Sequence, residues 1–441
     1  MTHKVLIAGN WIDSASTGTF TVDNPKSATA ITEEYPVSSW DECSAALDAA
    51  SAAFTQLRAM PRSAVAEFLE NFADRIEARS EEIRTAAAEE TALPFDTRLV
   101  GELGRTTGQL RQAAAEATGM PTGMVQLIYR LSHADGERLA SDPRLAAIGY
   151  TGSRHAGLKL KTAADAVGKP IYLELSSVNP VVILPGAIEE RAEEIATELT
   201  TSCMMGTGQF CTSPGLIILQ GSEAADTFVS SLAEKFNTAP VGTLLSKSGQ
   251  AGLAAAVGTL QAAGAEAVCG ACEGGGEGYS YANTVLKTTG DLFLADPHKM
   301  QTEAFGNSTL VVLSSSLEQT VQIVDSLEGN LTGCIYSNST GSDDDAYDKV
   351  EPSLRMRVGR LLNDKMPTGV AVSAAMNHGG PFPATGHAGF TAVGIPGSLL
   401  RFSMLQCYDN IRPHRLPDIL QDKNPGKVWR LVDGNWTQGN I

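Results

Sequence analysis

The sequence predicts an α/β fold built on a parallel sheet, and three observations support this prediction. From about residue 124 onward, short apolar segments typical of strands alternate with segments of helical periodicity. A long helix, expected over residues 187–205, precedes a glycine-rich loop and an apolar strand at 216–219. The 441 residues suffice for two or three domains of ordinary size.

Before residue 124 the sequence predicts a hairpin followed by four helices. Residues 5–8 and 11–12 flank Gly9-Asn10, a pair that is typical of a two-residue hairpin turn. Ser39 lies three residues before Glu42, the spacing of a capping box, so a helix is expected to begin there and to run to Phe54. Three more helices are expected after Pro61, from about Ser80 and from about Asp96. A second hairpin is expected at residues 431–436.

The alternating region contains four expected strands before the glycine-rich loop. They cover residues 124–129, 146–150, 171–175 and 181–184. Short helices are expected between them at 133–140 and 154–167.

Composition excludes several classes of function. The net charge is −17 and no run is rich in Lys or Arg, so no nucleic-acid partner is expected. The longest apolar stretches fall far short of the roughly 20 residues of a membrane-spanning helix, and the first residues do not form a secretory signal. Seven cysteines, an odd number, indicate a reducing compartment, and a cytoplasmic location is expected. Cys269 and Cys272 lack a second Cys pair, so no metal site is predicted.

Cys211 is a candidate nucleophile. It ends the loop Gly-Thr-Gly-Gln-Phe-Cys at residues 206–211, between the long helix and the apolar strand. Gly206 and Gly208 would let the backbone bend tightly, and a thiol among backbone N–H groups suits covalent catalysis on a carbonyl carbon. Taken alone, the same pattern also describes a small buried apolar cysteine.

Glu174 is a candidate general base. It interrupts the apolar strand at 171–175, where a carboxylate is unfavourable unless it is paired or functional. The alternative is a glutamate at a strand end that faces solvent.

Residues 151–157 follow a strand and begin a helix, a geometry that presents free backbone N–H groups to an anion such as a cofactor phosphate. The segment lacks the Gly-x-Gly-x-x-Gly pattern and by itself is also an ordinary strand-to-helix turn with an N-cap serine. The sequence contains no Gly-x-Ser-x-Gly, no P-loop and no His-Glu-x-x-His, so serine hydrolases, P-loop enzymes and zincins are not favoured.

Four segments together resemble the aldehyde dehydrogenase family. Residues 173–180 (Leu-Glu-Leu-Ser-Ser-Val-Asn-Pro) resemble its glutamate motif and residues 206–212 its cysteine motif. Residues 302–306 (Thr-Glu-Ala-Phe-Gly) are similar to its Glu-x-Phe-Gly motif, and 150–153 to its cofactor-phosphate turn. The four segments lie in the order that the family has, which makes the resemblance far more specific than any one of them.

Further segments of the sequence resemble one branch of that family, the α-ketoglutaric semialdehyde (2,5-dioxovalerate) dehydrogenases. The segments are 175–180, 367–370, 378–385 and the tail from 417 to 431. The resemblance implies NAD- or NADP-dependent oxidation of a small aldehyde to its acid. It is also compatible with a homo-oligomer.

The resemblance also implies roles for individual residues. Cys211 would be the nucleophile, with its own backbone N–H as half of the oxyanion hole, and Glu174 would be the base that releases the acid. The residues implied in cofactor binding are Gly152 and Ser153 at the phosphate, the Leu175 backbone near the nicotinamide, Glu303 at the ribose and Phe305 beside it.

One stretch departs from the family. In the family, the helix that resembles residues 99–110 is followed by an oligomerisation arm. A strand comes next and ends in Asn-Phe-Pro, whose asparagine is the second oxyanion donor. A further βα unit then carries a cofactor-binding lysine. Here residues 110–113 run directly into 117–121, which resemble sequence beyond all of these. The loss amounts to about two βαβ units, of roughly 30 residues each, plus the arm.

The implied architecture is therefore aldehyde dehydrogenase-like, with a truncated Rossmann-type cofactor domain and an α/β catalytic domain. The first is expected over residues 1–176 with 396–441, the second over 177–395. Three functions stay open: an NAD(P)-dependent enzyme, a non-catalytic or decayed relative without a complete cofactor site, and thioesterase-like hydrolysis by Cys211 and Glu174 without a cofactor.

Overall fold

The computed structural model describes residues 2–58, 60, 63–114, 121, 123–387, 389, 391–394 and 397–441. They fall into two compact units, Met1–Arg401 and Phe402–Ile441. No helix in these described ranges is both long enough and apolar enough to cross a membrane.

The first unit begins with two hairpins and a helical region. The strands are β1 (Val5–Ile7), β2 (Asn10–Ile12), β3 (Gly18–Asn24) and β4 (Thr29–Val37). The helices are α1 (Trp40–Leu57), α2 (Ser63–Ala78), α3 (Ser80–Thr91) and α4 (Val100–Ala114), the last preceded by a π-helical turn at Phe95–Leu99. The expected hairpin and the four expected helices are confirmed, but the turn is Ala8-Gly9 rather than Gly9-Asn10, because Asn10 already pairs with Ile7. The sequence pattern did not predict the longer β3–β4 hairpin.

Ser39 caps α1 as its spacing predicted, but the capping box does not close. Its hydroxyl accepts a hydrogen bond from the Glu42 backbone N–H at 3.3 Å. The Glu42 carboxylate instead accepts hydrogen bonds from the Ser14 hydroxyl and the Ala15 N–H. That side chain therefore ties the helix to the segment that joins the two hairpins.

A small parallel sheet follows, made of β5 (Ile148–Thr151) and β6 (Ile171–Glu174). It is flanked by α5 (His133–Ser141) and α6 (Arg154–Asp165). Because the strands are parallel and paired in register, Thr151 lies beside Glu174 at their carboxyl ends. Ligands of open α/β sheets bind outside this edge.

The expected strand at 124–129 is wrong. This segment forms only isolated bridges, Leu6 with Leu127 and Val37 with Arg130. It passes from one N-terminal hairpin to the other, so it cannot keep a continuous ladder with either. In the described chain, the small parallel sheet therefore has two strands, β5 and β6.

The main sheet has seven strands in the order β13-β12-β7-β8-β11-β10-β9. They are β7 (Val181–Ile183), β8 (Leu216–Gln220), β9 (Glu266–Cys269), β10 (Thr284–Thr289), β11 (Ser308–Ser314), β12 (Asn330–Tyr336) and β13 (Val358–Asn363). All neighbours are parallel except β9, which runs antiparallel to β10 at the edge. The predicted α/β fold with a parallel sheet is confirmed.

Helices cover this sheet on both faces. They are α7 (Pro185–Met204), α8 (Glu223–Thr238), α9 (Lys247–Ala262), α10 (Gly290–Ala295), α11 (Pro297–Met300), α12 (Leu317–Asp325) and α13 (Asp344–Arg355). Alternate residues of one strand enter opposite cores: Ile217 packs with α7 and α8, whereas Ile218 packs with α9 and α12. Burial on both faces explains why the central strands are almost entirely apolar.

The second unit contains the expected C-terminal hairpin, β14 (Arg430–Val432) with β15 (Asn435–Thr437). The Asn424 side chain organises it by donating hydrogen bonds to the Val428 and Gln438 carbonyls, at 2.8 and 2.9 Å.

Candidate active site

The loop that carries Cys211 joins α7 to β8 through a strained turn. Gly206 and Gly208 have φ angles of +56° and +69°, as the expected tight bend requires, and Thr207 between them has +58°. A Cβ added at Gly208 would lie 2.0 Å from the Gly306 carbonyl oxygen. Glycine at position 208 therefore lets the cysteine loop touch the Glu-x-Phe-Gly segment.

Glu174 is the last residue of β6, and its side chain is buried. The Gly152 N–H donates to its carbonyl oxygen at 3.1 Å, and the next residue, Leu175, donates its N–H to the Ala384 carbonyl at 2.8 Å. Both sides of the strand end are held by backbone hydrogen bonds. This fixes the direction in which the carboxylate points.

The structure brings Cys211 and Glu174 into one cluster, joined by His378. The His378 Nε2 lies 3.5 Å from the Cys211 Sγ and 2.9 Å from the Glu174 Oε1. One atom of each of the three side chains lies within 4.8 Å of the other two. These three atoms are also of the types that bind metal ions, so a soft divalent cation would compete for the same groups.

His378 is buried and firmly placed. Its N–H donates to the Thr391 hydroxyl at 2.9 Å, and its carbonyl accepts from the Ala392 N–H at 2.8 Å. Burial lowers the pKa of His378, but hydrogen bonds to Cys211 and Glu174 and the charges of both groups outweigh it and raise the pKa to about 9. The imidazole is therefore positively charged at neutral pH.

Sequence reasoning missed this histidine as a site residue. It starts the segment 378–385, which contributed only to the branch resemblance. Its partners lie 167 and 204 residues away along the chain, so no local pattern connects them.

Two buried asparagines hold the loops that carry the cluster. The Asn179 amide donates to the Cys211 and Ser213 carbonyls, both at 2.9 Å, and its oxygen accepts from Thr332 at 2.8 Å. The Asn330 oxygen accepts from the Val178 and Asn179 N–H groups at 2.9 and 3.2 Å. Asn179 itself has a positive φ of 47°, a conformation that asparagine tolerates better than most residues.

Glu303 and Phe305 line a narrow cleft next to the cysteine loop. Phe210, the residue before the cysteine, lines the same cleft. Burial raises the pKa of the Glu303 carboxyl to about 7, although hydrogen bonds from Ser176 and the Ser177 N–H lower it. The residue as a whole is only half-buried, but its carboxyl group is surrounded by protein.

Gly152 and Ser153 form the turn between β5 and α6. The Ser153 hydroxyl caps α6 by accepting from the Ala156 N–H at 3.3 Å. Arg154, the first residue of α6, lines a second cleft together with Glu303 and is paired with Glu328 at 2.8 Å. Arg154 and Glu303 thus border one cleft. The desolvated Glu303 carboxyl is suited to accept hydrogen bonds from the hydroxyls of a cofactor ribose.

The family model described as "Aldehyde dehydrogenase family" matches residues 11–118 and 106–380. The chain belongs to the aldehyde dehydrogenase family. It is 30% identical to alpha-ketoglutaric semialdehyde dehydrogenase 2 of Azospirillum brasilense, over 98% of this chain and 99% of that protein. It is 31% identical to alpha-ketoglutaric semialdehyde dehydrogenase of Acinetobacter baylyi, over 90% and 92%.

Solved structures agree at the level of the fold. Aldehyde dehydrogenase from Bacillus cereus (the E194S mutant) superposes with a TM-score of 0.78 at 17% identity, covering 91% of this chain and 95% of that one. PnpE in complex with nicotinamide adenine dinucleotide superposes with 0.77 at 18% identity, covering 91% and 96%.

The comparisons also bear on the length of the chain. The Azospirillum alignment extends over 533 positions, yet it covers 98% of a chain of 441 residues. Roughly 100 positions therefore have no counterpart here. The family model matches in two parts that meet at residues 106–118. Both observations are those expected of a chain that lacks an internal segment beyond α4.

Proposed function

We propose that this protein oxidises 2,5-dioxopentanoate (α-ketoglutaric semialdehyde) to the carboxylic acid with NAD or NADP, through a thioester on Cys211. The observation that carries the proposal is the cluster of Cys211, His378 and Glu174 within 4.8 Å. The choice of aldehyde follows the two semialdehyde dehydrogenases that align with nearly the whole chain.

Cys211 starts the reaction as the nucleophile. A positively charged His378 at 3.5 Å favours the deprotonated sulfur, which is the reactive form. The sulfur adds to the aldehyde carbon, a C–S bond forms, and the carbonyl π electrons move to oxygen. The backbone N–H of Cys211 stabilises this oxyanion.

Bound NAD or NADP would supply the acceptor for the hydride of the substrate carbon. With the hydride removed, the C=O bond would re-form and the substrate would remain as a thioester on Cys211. Gly152, Ser153 and Leu175, in the domain proposed for residues 1–176 with 396–441, would hold the cofactor together with Glu303 and Phe305 from the other domain. The catalytic domain proposed for residues 177–395 supplies the sulfur.

Glu174 completes the cycle as the base. Its carboxylate accepts a proton from water while the water oxygen attacks the thioester carbon, and the C–S bond then breaks. The hydrogen bond from His378 at 2.9 Å orients the carboxylate toward the sulfur. The acid leaves and Cys211 returns to its starting form.

The absorbance of NADH or NADPH formed from 2,5-dioxopentanoate tests the proposal. The wild type and a Cys272→Ala control, whose thiol is exposed and distant in sequence, should both form reduced cofactor. Cys211→Ala should form none above background. Oxidation that persists in Cys211→Ala, or that is absent from the wild type with both cofactors, contradicts the proposal.

A second function is favoured by one observation, the Cys–His–Glu contact itself. A nucleophilic sulfur on Cys211 and a carboxylate base on Glu174, both in contact with a charged imidazole, also suit hydrolysis of a thioester without any cofactor. Turnover of an activated thioester with no nicotinamide present, combined with no aldehyde oxidation, would select this alternative.

We also infer a cytoplasmic location. All seven cysteines are unpaired, which suits a reducing compartment. The comparisons do not favour a non-catalytic relative, because the chain aligns with semialdehyde dehydrogenases over nearly its whole length and keeps Cys211 and Glu174 close together.

A further inference from the structure

Cys211, His378 and Glu174 form a set of potential metal ligands as well as a catalytic cluster. One ligand atom of each lies within 4.8 Å of the other two, and among the described residues no other three histidine, cysteine, aspartate or glutamate side chains converge in this way. Thiolate sulfur, imidazole nitrogen and carboxylate oxygen are the atoms that bind zinc in proteins. The sequence predicted no metal site, because no local spacing connects positions 174, 211 and 378.

The distances within the cluster are close to those of a tetrahedral zinc site. Bonds of about 2.3 Å to sulfur and about 2.0–2.2 Å to nitrogen and oxygen place neighbouring ligand atoms about 3.3–3.7 Å apart. The His378 Nε2 lies 3.5 Å from the Cys211 Sγ, which matches this spacing. It lies 2.9 Å from the Glu174 Oε1, which is closer because the two atoms share a hydrogen bond. Since no pair of ligand atoms exceeds 4.8 Å, side-chain movements on the order of 1 Å would let all three bind one ion.

The backbone holds each ligand in place. Glu174 ends β6, His378 donates its backbone N–H to the Thr391 hydroxyl at 2.9 Å, and the Asn179 amide donates to the Cys211 carbonyl at 2.9 Å. Ligands that are already positioned do not have to be ordered when the ion binds, which favours affinity. Three protein ligands leave the fourth position of a tetrahedral ion for water.

The charges of the cluster also suit a divalent cation. A thiolate and a carboxylate supply two negative charges and a neutral imidazole adds none, so the complex has no net charge. This balance matters because His378 and Glu174 are 5% and 6% exposed, and an uncompensated charge is costly there. The proton of the His378 Nε2 leaves to water when the ion takes its place. Cys211 is only partly buried, so the ion would enter from the side of the cysteine loop.

We propose that Cys211, His378 and Glu174 bind one zinc ion, or a cadmium ion in its place, and that this ion reversibly closes the site. A sulfur bound to the ion cannot attack an aldehyde carbon, and a carboxylate bound to it cannot accept a proton from water. One ion therefore blocks both steps assigned to these groups. Magnesium and calcium prefer sets of oxygen ligands and should not compete.

The first experiment measures zinc binding with neither cofactor nor aldehyde present, by competition with a chromogenic chelator. The reference protein is Cys272→Ala, because that substitution removes the Cys-x-x-Cys pair formed with Cys269 as a competing site. It should bind one zinc ion per chain, and excess magnesium should not displace that ion. A reference protein that binds no zinc overturns the proposal.

Substitution of each ligand in the reference protein tests the composition of the site. Cys211→Ala, His378→Gln and Glu174→Gln should each weaken zinc binding by more than about a hundredfold, because loss of even an outer-shell partner costs about 10–100-fold. The exposed His298→Gln and Glu234→Gln are the matched controls and should bind zinc as the reference protein does. Unchanged affinity in His378→Gln or Glu174→Gln would show that the sulfur binds zinc without them, which overturns the proposal.

Cadmium locates the site in the reference protein, so this result does not depend on the folding of a ligand variant. Bound cadmium should give a thiolate-to-metal charge-transfer band in the ultraviolet. It should also protect Cys211 from iodoacetamide, as read by peptide mass spectrometry, while the exposed Cys407 is labelled at an unchanged rate. Equal labelling of Cys211 with and without cadmium contradicts the proposal.

An activity measurement separates failure of the metal site from failure of the proposed function. Zinc should stop the oxidation of 2,5-dioxopentanoate, and excess chelator should restore the starting rate; oxidation that continues with zinc bound overturns the proposal. If no aldehyde is oxidised but zinc binding requires all three side chains, the metal site stands and the proposed oxidation falls. If aldehyde is oxidised and zinc binding ignores His378 and Glu174, the metal site falls alone.

Discussion

At the scale of single residues, the site depends on one imidazole nitrogen. The Nε2 of His378 contacts both a sulfur and a carboxylate, and its raised pKa keeps a positive charge between two groups that are anionic during the reaction. A charge held in this way stabilises the fold as well as the nucleophile, because the ionised pair is formed only in the folded state.

The pH dependence of stability tests the charge on His378. Its pKa is about 9 in the folded protein and about 6.5 in the unfolded chain, so its contribution is complete below about pH 6.5 and is lost as pH rises through 9. Urea unfolding should show a free energy of unfolding that falls more steeply between pH 6.5 and 9 in the wild type than in His378→Gln. The exposed His298→Gln should behave as the wild type. Parallel slopes in all three proteins would refute the assignment.

Glu303 gives a second residue-scale prediction, in which the substitution stabilises the protein. Its pKa of about 7 exceeds the ordinary value near 4.5, so ionisation costs stability as pH rises through this interval. Glu303→Gln should therefore unfold at higher urea than the wild type at pH 8, with the gap closing at pH 5. It should also bind NAD and NADP more weakly. Exposed Glu234→Gln is the control, and equal midpoints at pH 8 would contradict the prediction.

At the scale of elements, the cysteine loop is held by close backbone contact rather than by side chains of its own. Gly208 meets the Gly306 backbone, and Asn179 bonds the Cys211 and Ser213 carbonyls from the segment that links β6 to β7. Three segments distant in sequence thus define one position for the sulfur.

Gly208→Ala tests this packing. A Cβ would lie 2.0 Å from the Gly306 oxygen at a φ of +69°, so the variant should lose about 1–3 kcal/mol of stability and most of its reactivity at Cys211. Gly252→Ala, in the exposed middle of α9 with no atom within 4 Å of the added Cβ, should gain about 0.5–1 kcal/mol. A harmless Gly208→Ala, measured by urea unfolding and iodoacetamide labelling, would show that the loop is not built in this way.

Sequence patterns predicted the elements whose determinants are local. The helices follow from apolar periodicity and caps, the central strands from continuous apolar runs, and the bend at residues 206–208 from its glycines. The expected strand at 124–129 failed, because pairing with two separate hairpins overrides the local pattern. His378 could not be assigned a role, because its contacts depend on how the fold brings distant segments together.

At the scale of the whole molecule, the two parallel sheets that contribute to the site differ in their number of strands. The seven-stranded sheet that supports Cys211 is covered on both faces, whereas the parallel sheet at Glu174 has two strands in the described chain, β5 and β6. The alignment with the Azospirillum brasilense enzyme has roughly 100 positions without a counterpart in this chain. Cys211, His378 and Glu174 are nevertheless close together, so we expect catalysis with weak cofactor binding.

The central claim is that the sulfur of Cys211 and the carboxylate of Glu174 act on one aldehyde in succession, and trapping the thioester tests it most directly. Glu174→Gln, incubated with 2,5-dioxopentanoate and saturating NAD or NADP, should form reduced cofactor once per chain and accumulate an acyl group that peptide mass spectrometry places on Cys211. The Cys211→Ala/Glu174→Gln double variant should carry none. Absence of the acyl group from Cys211, with no reduced cofactor formed, would contradict the account.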